Sequence, residues 1–185
     1  MAVADVMSML DDCAAQNAPL TVRFACLMLG VRIAGHDGVA AAQTLCQRLR
    51  VPGDCRDLAL MLLRERETLQ RGAELAAPEL MALLERCDAL RRAGRFAELL
   101  SACVHEAHAQ PGNEALVKAA CAQLEQALKI AQAVDASLAA SDAAKRGLRG
   151  TEIGAAVRQA RIDAIAQALQ QGPWRQDRLA QTTNL

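Results

Sequence analysis

The chain has 185 residues, of which 52% are hydrophobic but only 2% aromatic, and 21 basic side chains balance 21 acidic ones. A chain of this length buries a core without disulfides or metals, and its zero net charge excludes a molecule-wide field that would attract a polyanion. Alanine and leucine supply most of the apolar side chains, while aromatic strand formers are scarce. This composition predicts an all-α fold.

The seven cysteines indicate a reducing compartment. None has the C-x-x-C spacing of a zinc ribbon or a redox pair, and most lie among apolar residues of predicted helices. We therefore expect buried, reduced thiols, no cofactor and a cytoplasmic location. The N-terminal segment contains Asp5, Asp11 and Asp12 but no basic region, so it is not a signal peptide. No apolar run approaches the roughly 20 residues that span a membrane.

The first third of the chain predicts four helices, because apolar residues recur there with a helical period. They are expected over residues 2–15, 21–33, 39–49 and 55–66. Thr21 and Asp54 are placed to cap the second and fourth of these helices. The second helix is apolar almost all round, so we expect it at the centre of the fold.

The rest of the chain predicts four more helices, for about eight in all. They are expected over residues 79–92, 95–107 and 114–134, and from 151 to the Gly172-Pro173 break. Pro78 suits a first turn, because its missing N–H is not needed there. Residues 135–150 are less regular, and Thr151 is interpreted as the cap of the last helix. Residues 173–185 form a polar tail that is expected to fray.

Four stretches of the sequence carry a family pattern. They are APLTVRFACL at 18–27, LCQRLRVPGDCRDLALML at 45–62, LMALLERCDALRRAGRF at 80–96 and GLRGTEIGAAVRQARIDAIA at 147–166. Read together, they resemble the C-terminal half of bacterial CCA-adding enzymes, which are tRNA nucleotidyltransferases. The resemblance implies one helical domain over residues 1–172, with an HD-like part at 1–72 and a body- and tail-like part at 73–172.

In the resembling family, a nucleotidyltransferase head with a glycine-rich loop and paired carboxylates precedes this region. The sequence offers neither that loop nor an Asp-x-Asp pair, so CCA addition by this chain alone is not expected. Asp11 and Asp12 do not replace the pair, because neighbouring side chains on a helix point about 100° apart. They are interpreted as exposed surface acids.

The family region also carries an HD phosphohydrolase site, in which histidines and a His-Asp dyad hold a divalent metal that activates water. Where the family shows Cys-His-Asp-Leu-Gly-Lys, this sequence has CLMLGV at 26–31, and its opening helix contains no histidine. The resemblance therefore implies a degenerate HD site. His36 and Asp37 form a surviving pair in a Gly-His-Asp-Gly turn and are candidate metal ligands. The alternative is an exposed histidine with Asp37 capping the third helix.

His105 and His108 are also candidate metal ligands, because side chains three residues apart lie on one helix face. The resembling family has roughly Glu-Ala-Asp-x-x-Gly-Arg at this place, so the pair is not an inherited site. Without a third ligand nearby in the sequence, we expect both histidines to face solvent and Glu106 to point elsewhere on the helix. No catalytic residue is assigned.

Basic side chains form two local clusters, one at the junction of the predicted fifth and sixth helices and one before and along the last helix. Their members are Arg91, Arg92, Arg95, Lys145, Arg146, Arg149, Arg158 and Arg161. Arginines on helix surfaces contact phosphates, and in the resembling enzymes this helical part helps to hold tRNA. Arg158 and Arg161 are expected on the outer face of the last helix. Neighbouring acids dilute both clusters, and a solvated charged surface is the alternative.

The sequence thus predicts a non-catalytic helical module that binds tRNA-like RNA, another structured RNA, a partner protein or a second copy of itself, without membrane contact. The alternative is an enzyme. It would be either a subunit completed by a separately encoded nucleotidyltransferase head or a metal-dependent phosphohydrolase using His36 and Asp37.

Overall fold

The computed structural model describes residues 3–31, 38–110 and 112–171, and these residues form nine α-helices and no strand. The helices, α1 to α9 in chain order, are Val3–Ala15, Leu20–Leu29, Gly38–Arg48, Gly53–Gln70, Ala77–Arg86, Ala93–His108, Glu114–Ala133, Ala136–Lys145 and Thr151–Gln171. A short 3₁₀ turn, Gly72–Glu74, joins α4 to α5. The predicted all-α fold is confirmed. The predicted polar tail at 173–185 lies outside the described residues.

One hydrophobic core extends from Val6 in α1 to Leu169 in α9. α2 contacts α1, α4 and α6, as its nearly continuous apolar surface predicted. α7 contacts α4, α5, α6 and α9, and thereby continues the core toward the later helices. Within the described ranges, no helix has the length and apolar character needed to cross a membrane.

α8 is a helix that the sequence analysis did not predict, because residues 135–150 were expected to be less regular. Asp135 caps this helix, since its carboxylate accepts hydrogen bonds from the backbone N–H groups of Ser137 and Leu138, both at 2.9 Å. The helix contacts α9 and buries Ala143. Short alanine side chains give a weak apolar period, which explains why the pattern was missed.

The predicted caps at Thr21 and Asp54 are wrong. α2 begins at Leu20 after Pro19, and the Thr21 hydroxyl instead donates to Glu98 of α6 at 2.8 Å. α4 begins at Gly53, so Asp54 lies inside its first turn. α5 ends at Arg86, before the predicted end, and Asp88 in the following turn has a φ of 51°, outside the right-handed helical region.

All seven cysteines are buried and unpaired, as predicted. Burial raises the thiol pKa of Cys87 and of Cys121 to about 12, and that of Cys103 well above its usual range. The Sγ atoms of Cys13 and Cys26 lie 3.7 Å apart, a contact between two thiols. The thiols therefore stay protonated at neutral pH and pack as small apolar side chains.

Candidate functional site

A His–Asp–His cluster joins α1 to α6. One carboxylate oxygen of Asp12, Oδ2, lies 2.6 Å from His105 Nδ1 and 2.8 Å from His108 Nδ1. Gln16 Nε2 donates to the other oxygen, Oδ1, at 2.8 Å. An ionised carboxylate only accepts hydrogen bonds, so both imidazoles donate their Nδ1–H groups to it. Residues 93 positions apart in the sequence thus form one polar site.

This cluster corrects two expectations. Asp12 was interpreted as an exposed surface acid, but only 26% of its side chain is exposed. His105 was expected to face solvent, but it retains 3% of its side-chain exposure, whereas His108 retains 23%. The physical reason is the contact between α1 and α6, which covers the face of α6 that carries both histidines. No local pattern in the sequence signals that contact.

Hydrogen bonding keeps Asp12 ionised. Burial raises the pKa of this carboxyl, but hydrogen bonds from His105, His108 and Gln16 together lower it more, and the resulting pKa is about 2. Glu114, at the start of α7, approaches His108 from the other side, with Oε1 3.4 Å from Nε2. The Lys118 ammonium, hydrogen-bonded to Glu114, lowers the pKa of that carboxyl. His108 therefore lies between two carboxylates.

The cluster also brings together three potential metal-ligand atoms. In the part of the chain that the structure describes, one oxygen of Asp12 and one nitrogen each of His105 and His108 lie within 4.8 Å of one another. The two imidazole rings are nearly perpendicular, at 89°, with centroids 6.3 Å apart, so they do not stack. The other two candidate ligands, His36 and Asp37, lie outside the described residues.

A buried ion pair occupies the neighbouring face of α6. Glu106 is fully buried, and Arg66 of α4 donates to one of its carboxylate oxygens. Gln70, one helical turn after Arg66, donates to the other oxygen at 3.0 Å. Glu106 therefore points away from the two histidines, toward α4. Its burial and its arginine partner, 40 positions away, were not predicted from the sequence.

The position of the family's His-Asp dyad lies in α2, which contacts α4 and α6. Cys26 and Met28 are buried there, and Leu27 is exposed. Burial raises the pKa of the Cys26 thiol well above its usual range. Leu27 and Met28 stand where the family has its His-Asp dyad, and an alkyl chain and a thioether do not offer the nitrogen and oxygen ligands that the resemblance implies.

Three arginines share one carboxylate at the turn between α5 and α6. Guanidinium nitrogens of Arg91, Arg92 and Arg95 lie 4.0, 3.5 and 3.9 Å from the carboxylate of Asp88. Arg91 and Arg92 are exposed, whereas Arg95 is mostly covered and also donates to the carbonyl oxygen of Cys87. We call Arg91, Arg92 and Arg95 the α5–α6 arginine cluster. One negative charge does not balance three guanidinium groups, so this turn is positively charged.

Arg158 and Arg161, which the sequence analysis placed on the outer face of α9, are only partly exposed. Both are half-buried, because Ile162 and Ile165 turn this side of α9 toward the core, where α9 contacts α5 and α7. Arg158 forms an ion pair with Glu85 of α5 at 2.9 Å, which neutralises its charge.

The basic residues between α8 and α9 are exposed. Lys145 pairs with Asp142 at 3.1 Å, and Arg146 Nε donates to the carbonyl oxygen of Asp142 at 3.3 Å. Arg149 donates through its backbone N–H to Glu152. Among the described residues, no carboxylate lies within ion-pair distance of the guanidinium of Arg146 or Arg149. This surface therefore also has an excess of positive charge.

The fold places the protein in the all-α class, with one continuous core. Comparison with known proteins shows which proteins its sequence is similar to. The chain is 42% identical to a multifunctional CCA protein of Paraburkholderia phymatum over 91% of its length. It is also 42% identical to one of Verminephrobacter eiseniae over 90% of its length. A third, from Cupriavidus necator, is 45% identical over 71% of the chain.

The chain spans about 43% of the length of the first two relatives and 35% of the third. It is thus related to a portion of the multifunctional CCA proteins, and the match is consistent with their C-terminal portion. The resemblance predicted from four stretches of sequence is confirmed. No protein-family model and no solved structure matches the chain.

Proposed function

We propose that the chain is a non-catalytic helical module that binds tRNA-like RNA, with the α5–α6 arginine cluster as part of its binding surface. The observation that carries the proposal is the sharing of one carboxylate, Asp88, by three guanidinium groups. Guanidinium groups without their own carboxylate are available to phosphate oxygens, and phosphate contacts supply most non-specific affinity for nucleic acids. The relationship to CCA proteins supports RNA as the partner.

The exposed residues between α8 and α9 extend the proposed surface. Arg146 and Arg149 are the main contributors, because Lys145 already has Asp142 as its partner. Arg158 and Arg161 contribute less, since both are half-buried and Arg158 is paired with Glu85. The affinity is therefore expected to come from two exposed sets of arginines rather than from one continuous strip.

The non-catalytic part of the proposal is supported by the side chains at the family's metal position. Water activation there requires nitrogen or oxygen ligands, which Leu27 and Met28, at the positions of the dyad, do not offer. A buried thiol with a raised pKa is also a poor nucleophile. We propose that the HD site is degenerate in this chain. The seven free thiols support a reducing, cytoplasmic setting.

Binding of a tRNA transcript at several salt concentrations tests the proposal. We expect saturable binding at about 50 mM salt that weakens steeply toward about 200 mM, because phosphate contacts release counterions. The double variant Arg91→Gln/Arg92→Gln should weaken binding and reduce the slope of log K against log salt by roughly two. Absence of binding at about 50 mM salt would exclude RNA and leave a protein partner as the alternative.

Two further variants separate phosphate contact from a general loss of charge. Arg71→Gln is the matched control, because this exposed arginine already pairs with Glu74 at 2.8 Å, and RNA binding should not change. Asp88→Asn removes the shared carboxylate, while asparagine tolerates the φ of 51° at this position. This variant should bind RNA more tightly. Weaker binding would contradict the assignment of the surface.

A further inference from the structure

The cluster of Asp12, His105 and His108 at the α1–α6 contact has no part in the proposed RNA binding. We propose that Asp12, His105 and His108 bind one zinc ion, with a water molecule as the fourth ligand. None of these residues belongs to the basic surfaces. The site also differs from the position of the family's His-Asp dyad, which lies in α2.

The distances within the cluster fit a metal after a small expansion. Tetrahedral zinc holds nitrogen and oxygen ligands at about 2.0–2.2 Å, so two ligand atoms around it lie about 3.3 Å apart. The distances from Asp12 Oδ2 to the two histidine Nδ1 atoms, 2.6 and 2.8 Å, are those of direct hydrogen bonds. Release of the two Nδ1 protons and a separation by about 0.5 to 0.7 Å make room for the ion.

Two of the three ligands have a neighbouring polar group on the side away from the metal position. His108 Nε2 lies 3.4 Å from Glu114 Oε1, so a carboxylate stands beside the ring nitrogen that does not face Asp12. Such an outer carboxylate is the usual second contact of a zinc-bound histidine. Gln16 donates to Asp12 Oδ1, which leaves Oδ2 for the ion. The orientation of two ligands is therefore set in advance.

The site is anchored on one side and open on the other. His105 is held in the core, whereas about a quarter of the Asp12 and His108 side chains is exposed, so solvent reaches the cluster. Three protein ligands with solvent on the fourth side are typical of zinc sites that keep a bound water. Two imidazoles and one carboxylate also favour zinc over magnesium, which prefers oxygen ligands.

Thiols do not compete for the ion in the folded chain. Cys13 follows Asp12 in the sequence, but its Sγ contacts Cys26 Sγ in the core. Both thiols are fully buried and face away from solvent. Ligation by nitrogen and oxygen alone is therefore expected.

Zinc titration of the full chain tests the proposal. The protein is treated with EDTA, dialysed, and titrated with ZnCl₂ and separately with MgCl₂ by calorimetry. We expect one zinc ion per chain and no magnesium binding. Cobalt(II) in place of zinc should show ligand-field bands without a thiolate charge-transfer band. No zinc binding, or a thiolate band, would overturn the proposal.

Substitutions of the proposed ligands test where on the protein the zinc ion binds. His108→Gln and Asp12→Asn should each abolish saturable zinc binding, and circular dichroism checks that both remain helical. Asp11→Asn is the matched control, because it removes the same charge from the adjacent, exposed residue and should leave zinc binding unchanged. Glu114→Gln should weaken binding by about tenfold through loss of the outer contact.

Zinc binding by Asp12→Asn as tight as that of the unaltered chain would refute the site. The cluster would then be only a hydrogen-bonded link between α1 and α6. EDTA should not change tRNA binding, so failure of the zinc proposal and failure of the RNA proposal are distinguishable.

Discussion

His105 and Glu106 are adjacent in α6 and both are buried, yet they lie in different environments. Neighbouring helical positions point about 100° apart, so His105 faces α1 and Glu106 faces α4. Glu106 meets the opposite charge of Arg66, with Gln70 on its second oxygen. His105 instead shares one oxygen of Asp12 with a second histidine, next to solvent.

The difference shows that burial alone does not decide the role of a polar side chain. The Arg66–Glu106 pair is charge-balanced and closed, so it holds α4 against α6. The histidine cluster gathers three ligand-type atoms around one position that solvent reaches, so it is available to an ion. The predictions below test this contrast, in order of decreasing effect.

The largest expected effect is a loss of stability at high pH, which comes from the buried thiols. Burial, and at Cys26 also the charges of Glu106 and Asp12, raises the thiol pKa, so the folded chain keeps thiol protons that the unfolded chain loses above about pH 9. The unfolded state then binds fewer protons, and the free energy of unfolding falls as the pH rises, by about 1.4 kcal/mol per pH unit for each strongly shifted thiol. Stability is therefore complete below about pH 9 and is lost above it.

Urea denaturation in the presence of a reductant, at about pH 7.5 and about pH 10, measures this loss, which we expect to be about 6 kcal/mol for the strongly shifted thiols of Cys26, Cys87, Cys103 and Cys121. The chain contains no tyrosine whose titration would add to the change. The variant Cys121→Ala should show a smaller difference between the two pH values, whatever its stability at neutral pH. Equal free energies of unfolding at both pH values would contradict the burial of the thiols.

Removal of Arg66 tests the closed pair. Arg66→Met leaves the Glu106 carboxylate buried without its cation, and we expect a loss of about 3 kcal/mol in the free energy of unfolding. Arg64→Met is the matched control, because Arg64 is exposed on the same helix, and its effect should stay within about 0.5 kcal/mol. An Arg66→Met effect as small as the control would show that the pair does not hold α4 against α6.

Replacement of the two histidines by alanine should lower the free energy of unfolding by different amounts. This is measured by urea denaturation in EDTA, so that no metal contributes. His105→Ala opens space in the core and removes a hydrogen bond to Asp12, and we expect a cost of about 2 kcal/mol. His108→Ala acts at a partly exposed side chain and should cost about 1 kcal/mol or less. The reverse order would mean that His105 is not the anchored side of the cluster.

Much of the fold follows from the sequence, because composition and helical periodicity are local properties. The central place of α2 is one example, and the position of Pro78 in the first turn of α5 is another. α8 escaped prediction since alanine-rich helices show little contrast between their faces. The caps at Thr21 and Asp54 failed because the proline before each helix already sets its start, and Thr21 bonds to a distant helix.

The candidate sites were predicted only in part. The spacing of His105 and His108 is visible in the sequence, but Asp12, the residue that makes them a three-atom cluster, comes from a contact 93 positions away. The basic clusters are also visible in the sequence. The pairing of Arg158 with Glu85, 73 positions apart, is not visible there, and neither is the burial of the side of α9 that carries Arg158. Long-range contacts decide which charges remain available, and a single sequence does not reveal them.

The distance along the chain between Asp12 and His105 also orders events during synthesis. At about 5–20 residues per second, α1 leaves its site of synthesis roughly 5 to 20 s before the histidines of α6 exist. During that interval α2 is the contact available to α1, and the Asp12 carboxylate has no imidazole to bind. α6 therefore completes the N-terminal part of the core, and translation must pass residue 108 before this half of the molecule reaches its final form.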